Sequence, residues 1–581
     1  MSSASKKTEP ASGASTESAA KRIVIIGGGI SGLASAALLA RDGYQVTVIE
    51  KNADLGGRAG SWERDGFRFD TGPSWYLMPE VFDHFYKLLG TSAADQLDLV
   101  TLDPGYRVFF EGEEAPLDVA LDREKNIALF ESVEAGAGAQ LEKYLESARD
   151  TYEMAKDKFL YSSFADLRPI MSRSVLAKTG RLAKLLLEPL STKVARTVTD
   201  DRLQKILGYP AVFLGSSPYI TPSMYHLMSH LDLEDGVLYP MGGFTTLIES
   251  IVALARAEGV HILTGSPVSR IVVTGTNATG VEYTDGAGTT TVMDADIVVS
   301  AADLHFTETR MLEPEHQSYP QSYWDKGTPS SSGLLIYLGV KGKIPELEHH
   351  TLMFTSEWKR SFEAIFGPNS SVPDPASLYV CKPSEVDPSA APEGHENLFV
   401  LVPIPADPSI GRGDSDGDGD ARIEALADKV IEQIAAWAKI PDLASRIVVR
   451  KTVGPRNFVE NFNSWRGNAL GPAHTLKQSA FFRAGNISKK VTGLYYVGSS
   501  TIPGVGLPMC LISAEVLVKR LRGDVSAGPL SEPLLATAAV PSHSSTTAEV
   551  PGGLPTGKAA TPDVSDDPAV SSPAAPSSAE H

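Results

Sequence analysis

From Arg22 onward the apolar residues follow a pattern that changes period twice. Arg22 to Ile26 is a short apolar run that predicts a strand, and Ile30 to Arg41 predicts a helix with small and apolar residues facing inward. Gln45 to Glu50 predicts a second strand, which completes a βαβ unit. From about Val119 to Met228 the pattern is mostly helical, with apolar stretches such as Leu182 to Leu187 and few strand signals, so an inserted helical region is expected. α/β-like sequence then returns. A helix is predicted at about Thr245 to Glu258, with strands at Val260 to Thr264, Val268 to Thr274 and Ile297 to Ser300. Strand-rich stretches follow at Gly333 to Val340 and Leu398 to Ile404. Gly493 to Val497 predicts a last strand, followed by a Gly/Pro loop and a helix from about Pro508 to Leu521. Three separated segments therefore look like parts of one nucleotide-binding domain. No repeat of fixed period interrupts them.

Composition narrows the partners. The formal charge of −19 repels phosphate backbones, so no nucleic-acid partner is expected. Two cysteines, Cys381 and Cys510, are too few for a disulfide framework or a cysteine-built metal site, and a cytoplasmic setting follows. Residues 1–20 lack the apolar core of a secretion signal, and no apolar run reaches the ~18 residues that span a bilayer. Any membrane contact is thus expected to be peripheral. Residues 1–20 and 526–581 are rich in Ser, Ala, Pro and Thr without apolar periodicity, and disorder is expected there.

The first chemistry-bearing motif is Gly27-Gly28-Gly29-Ile30-Ser31-Gly32, placed between a predicted strand and a predicted helix. Gly27 makes the turn, Gly29 admits a pyrophosphate close to the backbone, and Gly32 lets helix pack on strand. The helix N-terminus adds N–H donors and a positive dipole. Glu50 ends the second strand, where a carboxylate accepts bonds from adenosine ribose hydroxyls. Gly56-Gly57-Arg58 follows, with Arg58 placed to pair with pyrophosphate oxygens. This added element distinguishes an FAD site from an NAD site.

With Gly66-Phe67-Arg68-Phe69-Asp70-Thr71-Gly72-Pro73 included, the chain resembles the amine-oxidase-like flavoproteins, and more narrowly the bacterial and fungal phytoene desaturases of carotenoid synthesis. The likeness extends through Tyr239-Pro240-Met241-Gly242-Gly243, through Asp387-Pro388-Ser389-Ala390-Ala391-Pro392-Glu393-Gly394, and through Tyr496 to Pro508. Together these motifs cover about residues 22–522. Gly72 to Pro79 and Thr221 to Tyr225 look most like the actinobacterial branch.

The resemblance implies an α/β fold. A Rossmann-like FAD-binding domain is expected at 21–118, 236–305 and 485–525, with a mixed-sheet substrate domain at 306–484. A helical, membrane-facing region is expected at 119–235. Non-covalent FAD would be held by Gly27, Gly29, Ile30, Ser31, Gly32, Glu50, Lys51, Gly57, Arg58, Gly72, Pro73 and Val268. Gly498, Ser499, Gly506, Leu507 and Pro508 would complete the site, with backbone N–H groups of Gly498 and the Gly504 to Pro508 loop near the cofactor. Many amine oxidases carry an acid after the glycine that corresponds to Gly498. Ser499 stands here, which favours the carotenoid branch.

The implied reaction is stepwise dehydrogenation of phytoene to a conjugated carotenoid such as lycopene, with a hydride passing to FAD. Asp166 and Arg168 occupy about the place of an acid–base pair in the family, although capping and surface roles explain them equally. The implied partners are phytoene and its desaturated intermediates, quinone or oxygen as electron acceptor, the inner face of the cell membrane, and a second copy of the chain. Phe159-Leu160-Tyr161, Phe164 and Leu182 to Leu187, set among Lys178, Arg181 and Lys184, are the expected membrane contact; an ordinary buried helix gives the same pattern. Three alternatives stand: a carotenoid ketolase or isomerase, an amine or protoporphyrinogen oxidase, and a non-catalytic prenyl-lipid-binding protein of the same fold.

Other motifs lead elsewhere. Asp414 to Asp420 resembles the start of a calcium loop, but Ala425 stands at its twelfth position. His226 and His230 share a helix face without a nearby metalloenzyme glutamate, and are expected to line or flank the substrate cavity. Cys510 lacks a basic partner and is expected to pack.

Overall fold

The computed structural model describes residues 20–165 and 179–536. The N-terminal βαβ unit forms at the predicted positions: β1 (Arg22–Ile26), α1 (Ile30–Arg41) and β2 (Gln45–Ile49). These two strands join Leu494–Tyr496, Ile297–Ser300 and His261–Leu263 in a five-stranded parallel sheet. Strands from three distant segments thus build one sheet, with β1 at its centre.

Side-chain alternation along β1 feeds two cores. Ile23 and Ile25 pack with α1, with α2 (Pro79–Leu88), and with the helices Phe244–Ala257 and Leu507–Arg522. Val24 and Ile26 face the other way, towards Val268, Ile271, Val281 and Trp324. A central parallel strand is covered on both faces, which explains why its apolar run is unbroken.

A second sheet of seven strands runs in the order Ile447–Val453, Ser332–Lys341, His395–Ile404, Leu378–Cys381, His350–Phe354, Tyr106–Phe110, Leu117–Val119. Neighbours are antiparallel except His350–Phe354 with Tyr106–Phe110, so the sheet is mixed. This corrects one domain boundary. Residues 106–118, expected in the FAD-binding domain, pair into the substrate sheet. Tyr106, Val108 and Phe110 alternate buried with half-buried, and their apolar face closes the core against the helical insert. Most of the described part of 119–235 is helical, in short pieces after Ala137–Ala155.

The polar motifs of the sequence meet at one knot. The Asp387 carboxylate accepts bonds from Arg68 Nη2 (3.0 Å), Tyr239 OH (3.2 Å) and the Gly242 N–H (2.9 Å). Asp70, next to it, accepts the Phe244 N–H at 3.0 Å and so caps the helix Phe244–Ala257. Burial pushes Asp70 up to about 6, against the lowering effect of these bonds. Asp65–Asp70, Tyr239–Gly243 and Asp387–Gly394 are therefore parts of a single joint between the two sheets.

Ala20 and residues 526–536, expected to be disordered, lie within the described part. Leu534 is buried against α1 and α2, and its N–H donates to Leu88 O at 2.9 Å. Among the described residues no helix is long and apolar enough to cross a membrane.

Candidate active site

Two helix N-termini converge on one cavity of about 830 Å³. Gly29 precedes α1 and Gly506 precedes Leu507–Arg522, and neither helix has a side-chain cap. The first-turn N–H groups and the positive ends of both dipoles are left for an anion. Gly32 makes the close packing possible, since a Cβ there would fall 2.0 Å from Gly27 O. At Gly29 the same test finds nothing of the chain nearer than 3.9 Å, so its open side is a cradle.

Glu50 is buried at the rim of this cradle. Its Oε2 accepts the Gly28 N–H at 2.7 Å and its Oε1 the Asn52 N–H at 2.8 Å. Each oxygen keeps a second lone pair for a ribose hydroxyl. Arg58 lies across the cavity above the Phe462 ring, 5.5 Å from its centroid, and its Nη2 donates to Ser464 Oγ at 3.3 Å. Its Nε is buried with no hydrogen-bond partner among the described residues. Burial lowers the Arg58 pKa, partly offset by Asp303; burial likewise raises Asp303, opposed by Arg58. An unsatisfied guanidinium facing a cradle of free N–H groups fits a diphosphate.

Of the predicted cofactor residues, all but Gly32 line this cavity. Gly32 acts from behind, through packing. Gly72 is fixed by a close approach, as a Cβ there would lie 2.1 Å from Arg58 O. Lys51 is held by Glu460, to whose carbonyl its Nζ donates at 2.6 Å. One expected role is corrected. The Gly498 N–H donates to Ser513 Oγ at 3.1 Å, because Ser513 is buried beneath that turn, so Gly498 contributes its missing side chain rather than a donor.

Beyond the cradle the cavity becomes apolar. Trp75, Tyr209, Phe213, Leu227, Trp358 and Phe362 line it, as do Phe159, Leu160, Leu182 and Leu186. Leu185 is buried and Leu187 is 73% exposed. Much of the expected membrane stretch is therefore cavity wall, while Ala183, Lys184 and Leu187 face out. Asp166, Arg168 and Lys178 lie outside the described residues.

His226 and His230 flank the cavity without lining it. His226 Nε2 lies 2.9 Å from Ser147 Oγ and its Nδ1 2.8 Å from Ser223 O, while His230 Nδ1 lies 2.6 Å from Glu234. Their helix turn gives Tyr225, Leu227 and Met228 to the cavity instead. Cys510 lines it in the first turn of its helix, and burial pushes its thiol up to about 12. The calcium-like loop uses its acids internally: Asp416 pairs with Arg64 at 2.7 Å, and Glu424 pairs with Arg450 at 2.8 Å.

The sequence reading missed Asp303 and Asp232. Asp303 follows Ile297–Ser300 and caps the next helix through the Phe306 N–H at 3.2 Å; an Asp just after a strand was the available signal. Asp232 is buried behind Tyr209 and accepts a bond from Tyr106 OH at 3.0 Å. Burial pushes it up to about 7, against its tyrosine hydrogen bonds. Nothing local in the sequence marks it.

Comparison with known proteins matches residues 30–517 to the family described as flavin containing amine oxidoreductase. A carotenoid 3,4-desaturase of Haloarcula japonica is 40% identical over 87% of this chain and 98% of its own. The zeta-carotene-forming phytoene desaturase of Myxococcus xanthus is 35% identical over 86% and 94%, and the phytoene desaturase of Fusarium fujikuroi 31% over 87% and 90%. Among solved structures, an oxidoreductase from Methanosarcina mazei superposes with a TM-score of 0.57 at 17% identity, over 86% of this chain and all of that one. A variant putrescine oxidase gives 0.53 at 14%, over 87% and 98%. These two structures share the fold.

Proposed function

The chain belongs to the carotenoid desaturases of the flavin containing amine oxidoreductase family, and from that premise we propose that it dehydrogenates phytoene stepwise to a conjugated polyene such as lycopene. It is an FAD-dependent oxidoreductase. The observation that supports this substrate best is a single cavity that joins a diphosphate cradle to a long apolar channel.

In this reading FAD is bound non-covalently and supplies the hydride acceptor. Gly29, the two helix N-termini and Arg58 hold its diphosphate, and Glu50 holds the adenosine ribose. Trp75, Tyr209, Trp358 and Phe362 exclude water and align the hydrocarbon, which favours the reacting geometry by limiting its freedom. Asp166 and Arg168 are the proposed acid–base pair. Unchanged turnover of Asp166→Asn and Arg168→Lys proteins with FAD bound would sink that assignment.

The substrate enters from lipid at the outer end of the channel. Phe481 and Phe482 are 50% and 55% exposed, with ring centroids 4.3 Å apart, and Phe481 meets Phe164 on the cavity wall. With Leu187 they form the proposed membrane-facing edge. A Phe481→Glu, Phe482→Glu protein is expected to partition less into sedimented phospholipid vesicles; equal partitioning rejects this edge.

Expression in a phytoene-accumulating bacterium tests the reaction. Coloured polyenes are expected on chromatography of the pigments, and colourless cells containing FAD-loaded protein would refute it. The 40% identity to a carotenoid 3,4-desaturase favours a second reading, in which an already conjugated carotenoid is desaturated at its ends. A lycopene-accumulating host separates the two, since only the second gives longer chromophores from lycopene. Gly72–Pro79 and Thr221–Tyr225 support the finer placement in the actinobacterial branch.

A further inference from the structure

Behind the wall formed by Ser74, Trp75 and Tyr379, two histidines and a thiol meet in a buried part of the substrate sheet. His350 and Cys381 are paired across the adjacent strands His350–Phe354 and Leu378–Cys381, so their side chains are neighbours on one face. His349 lies just before its strand, released from the alternation that would send it to the opposite face. Its ring instead sits 4.6 Å from that of His350 at 80°, and the Lys382 N–H fixes its carbonyl at 2.8 Å. One ligand atom of each of the three residues lies within 4.8 Å of the others, and the residues are 3%, 0% and 2% exposed.

Three ring nitrogens here have no partner among the described residues: both of His349, and Nε2 of His350. Each such buried atom costs about 1–3 kcal/mol if left unsatisfied. Both rings are held. Trp75 stacks on His350 at 4.3 Å and 8°, and Tyr239 packs against His349 at 4.7 Å. The remaining nitrogen of His350, Nδ1, is 2.7 Å from Tyr379 OH, which in turn is 2.7 Å from Ser74 Oγ. That is the outer-shell arrangement of a metal-ligating imidazole, whose free N–H is fixed by an oxygen acceptor. The nearby Lys382 ammonium is paired with Glu385 at 2.5 Å, which offsets its repulsion of a cation.

We propose that His349, His350 and Cys381 bind one thiophilic d10 metal ion, Zn²⁺ or Cu⁺, and that this ion ties the two strands together behind the cavity wall. Two imidazoles and one thiolate suit these ions, while hard cations prefer oxygen. Around zinc, nitrogen and sulfur ligands lie roughly 3.3–3.8 Å apart. The 4.8 Å spread therefore has to close by about 1 Å. The low cysteine count gave no hint of this site, because histidines supply two of its three ligands.

The test uses the full chain with FAD bound. It is loaded separately with Zn²⁺ and with Cu⁺, desalted, and analysed for metal content by mass spectrometry and for first-shell atoms by X-ray absorption. About one ion per chain is expected for one of the two metals, with sulfur and imidazole in its shell, and with loss of the ion in Cys381→Ser and His349→Gln proteins. Sub-stoichiometric uptake of both metals overturns the proposal. So does a first shell without sulfur, or full retention in both variants. The absorption spectrum of the unmutated protein decides the matter even where a variant fails to fold.

Discussion

Gly29 and Gly32 stand three residues apart in one motif, yet the structure assigns them different work, and alanine at each separates the two. At position 29 a new Cβ meets nothing of the chain closer than Gly56 O at 3.9 Å, and φ there is −75°, which alanine adopts freely. The apo protein is therefore expected to keep its stability or gain a few tenths of a kcal/mol, by about the usual Gly→Ala effect on the unfolded chain. The methyl fills the cradle, however. Displacing one charge-assisted hydrogen bond costs about 1.5–3 kcal/mol, or roughly 10- to 150-fold in FAD affinity. At position 32 the Cβ falls 2.0 Å from Gly27 O and 3.2 Å from Ala301 Cβ. Carbon meets carbonyl oxygen comfortably at ~3.3 Å, so α1 has to lift by about 1.3 Å. Ten of its twelve residues are buried, and such overpacking costs about 1–3 kcal/mol. Gly32→Ala is thus expected to lose both stability and FAD. The assay is thermal unfolding of the flavin-free proteins, with FAD titration followed by quenching of flavin fluorescence. Wild-type FAD affinity in Gly29→Ala, or equal destabilisation of the two apo variants, would refute the cradle.

Three other outcomes are expected. Arg58→Ala should weaken FAD binding by about 10- to 100-fold and Arg58→Lys by less, because a lysine cannot present the paired donors of a guanidinium; spectroscopic flavin content per chain measures both. Asp232 is held neutral up to about pH 7, whereas in the unfolded chain it ionises near 3.9, so its burial costs nothing below that value, increasingly more up to about 7, and at most about 4 kcal/mol above it. Asp232→Asn should therefore gain on wild type in urea unfolding as pH rises through this window, and a pH-independent difference would contradict the burial argument. His84 lies between Glu515 and Glu532, which raise its pKa against the lowering effect of burial. The hold on residues 530–536 is thus full below the ordinary histidine value of about 6.5 and lost as pH rises through the raised one. Amide exchange at Leu534 should accelerate across that range, and in Glu532→Gln it should be fast throughout.

The local parts of this fold were legible in the sequence, and the non-local parts were not. β1 and α1 have their predicted limits because an apolar run, a glycine turn and a small-residue helix are all encoded within twenty residues. Gly27, Gly29 and Glu50, which line the cavity, stood out for the same reason. Tyr106–Phe110 shows its alternation plainly, but its parallel partner His350–Phe354 lies some 240 residues on, and no local pattern names it. Asp232 and the orphaned Arg58 Nε are visible only once burial is known. The Gly498 N–H was misassigned because its acceptor, the Ser513 hydroxyl, comes from the next helix.

The Asp387 joint bears on how this protein can be cut. Its carboxylate comes from the substrate segment, while Arg68, Tyr239 and Gly242 come from segments that frame the dinucleotide sheet. Excising 306–484 to obtain a minimal flavin domain would leave Arg68 without its counter-ion and take away five of the seven strands of the mixed sheet, stranding Tyr106–Phe110 without its parallel partner. Neither half is a module that can be transplanted, and chimaeras between relatives should exchange the three joint motifs as a set.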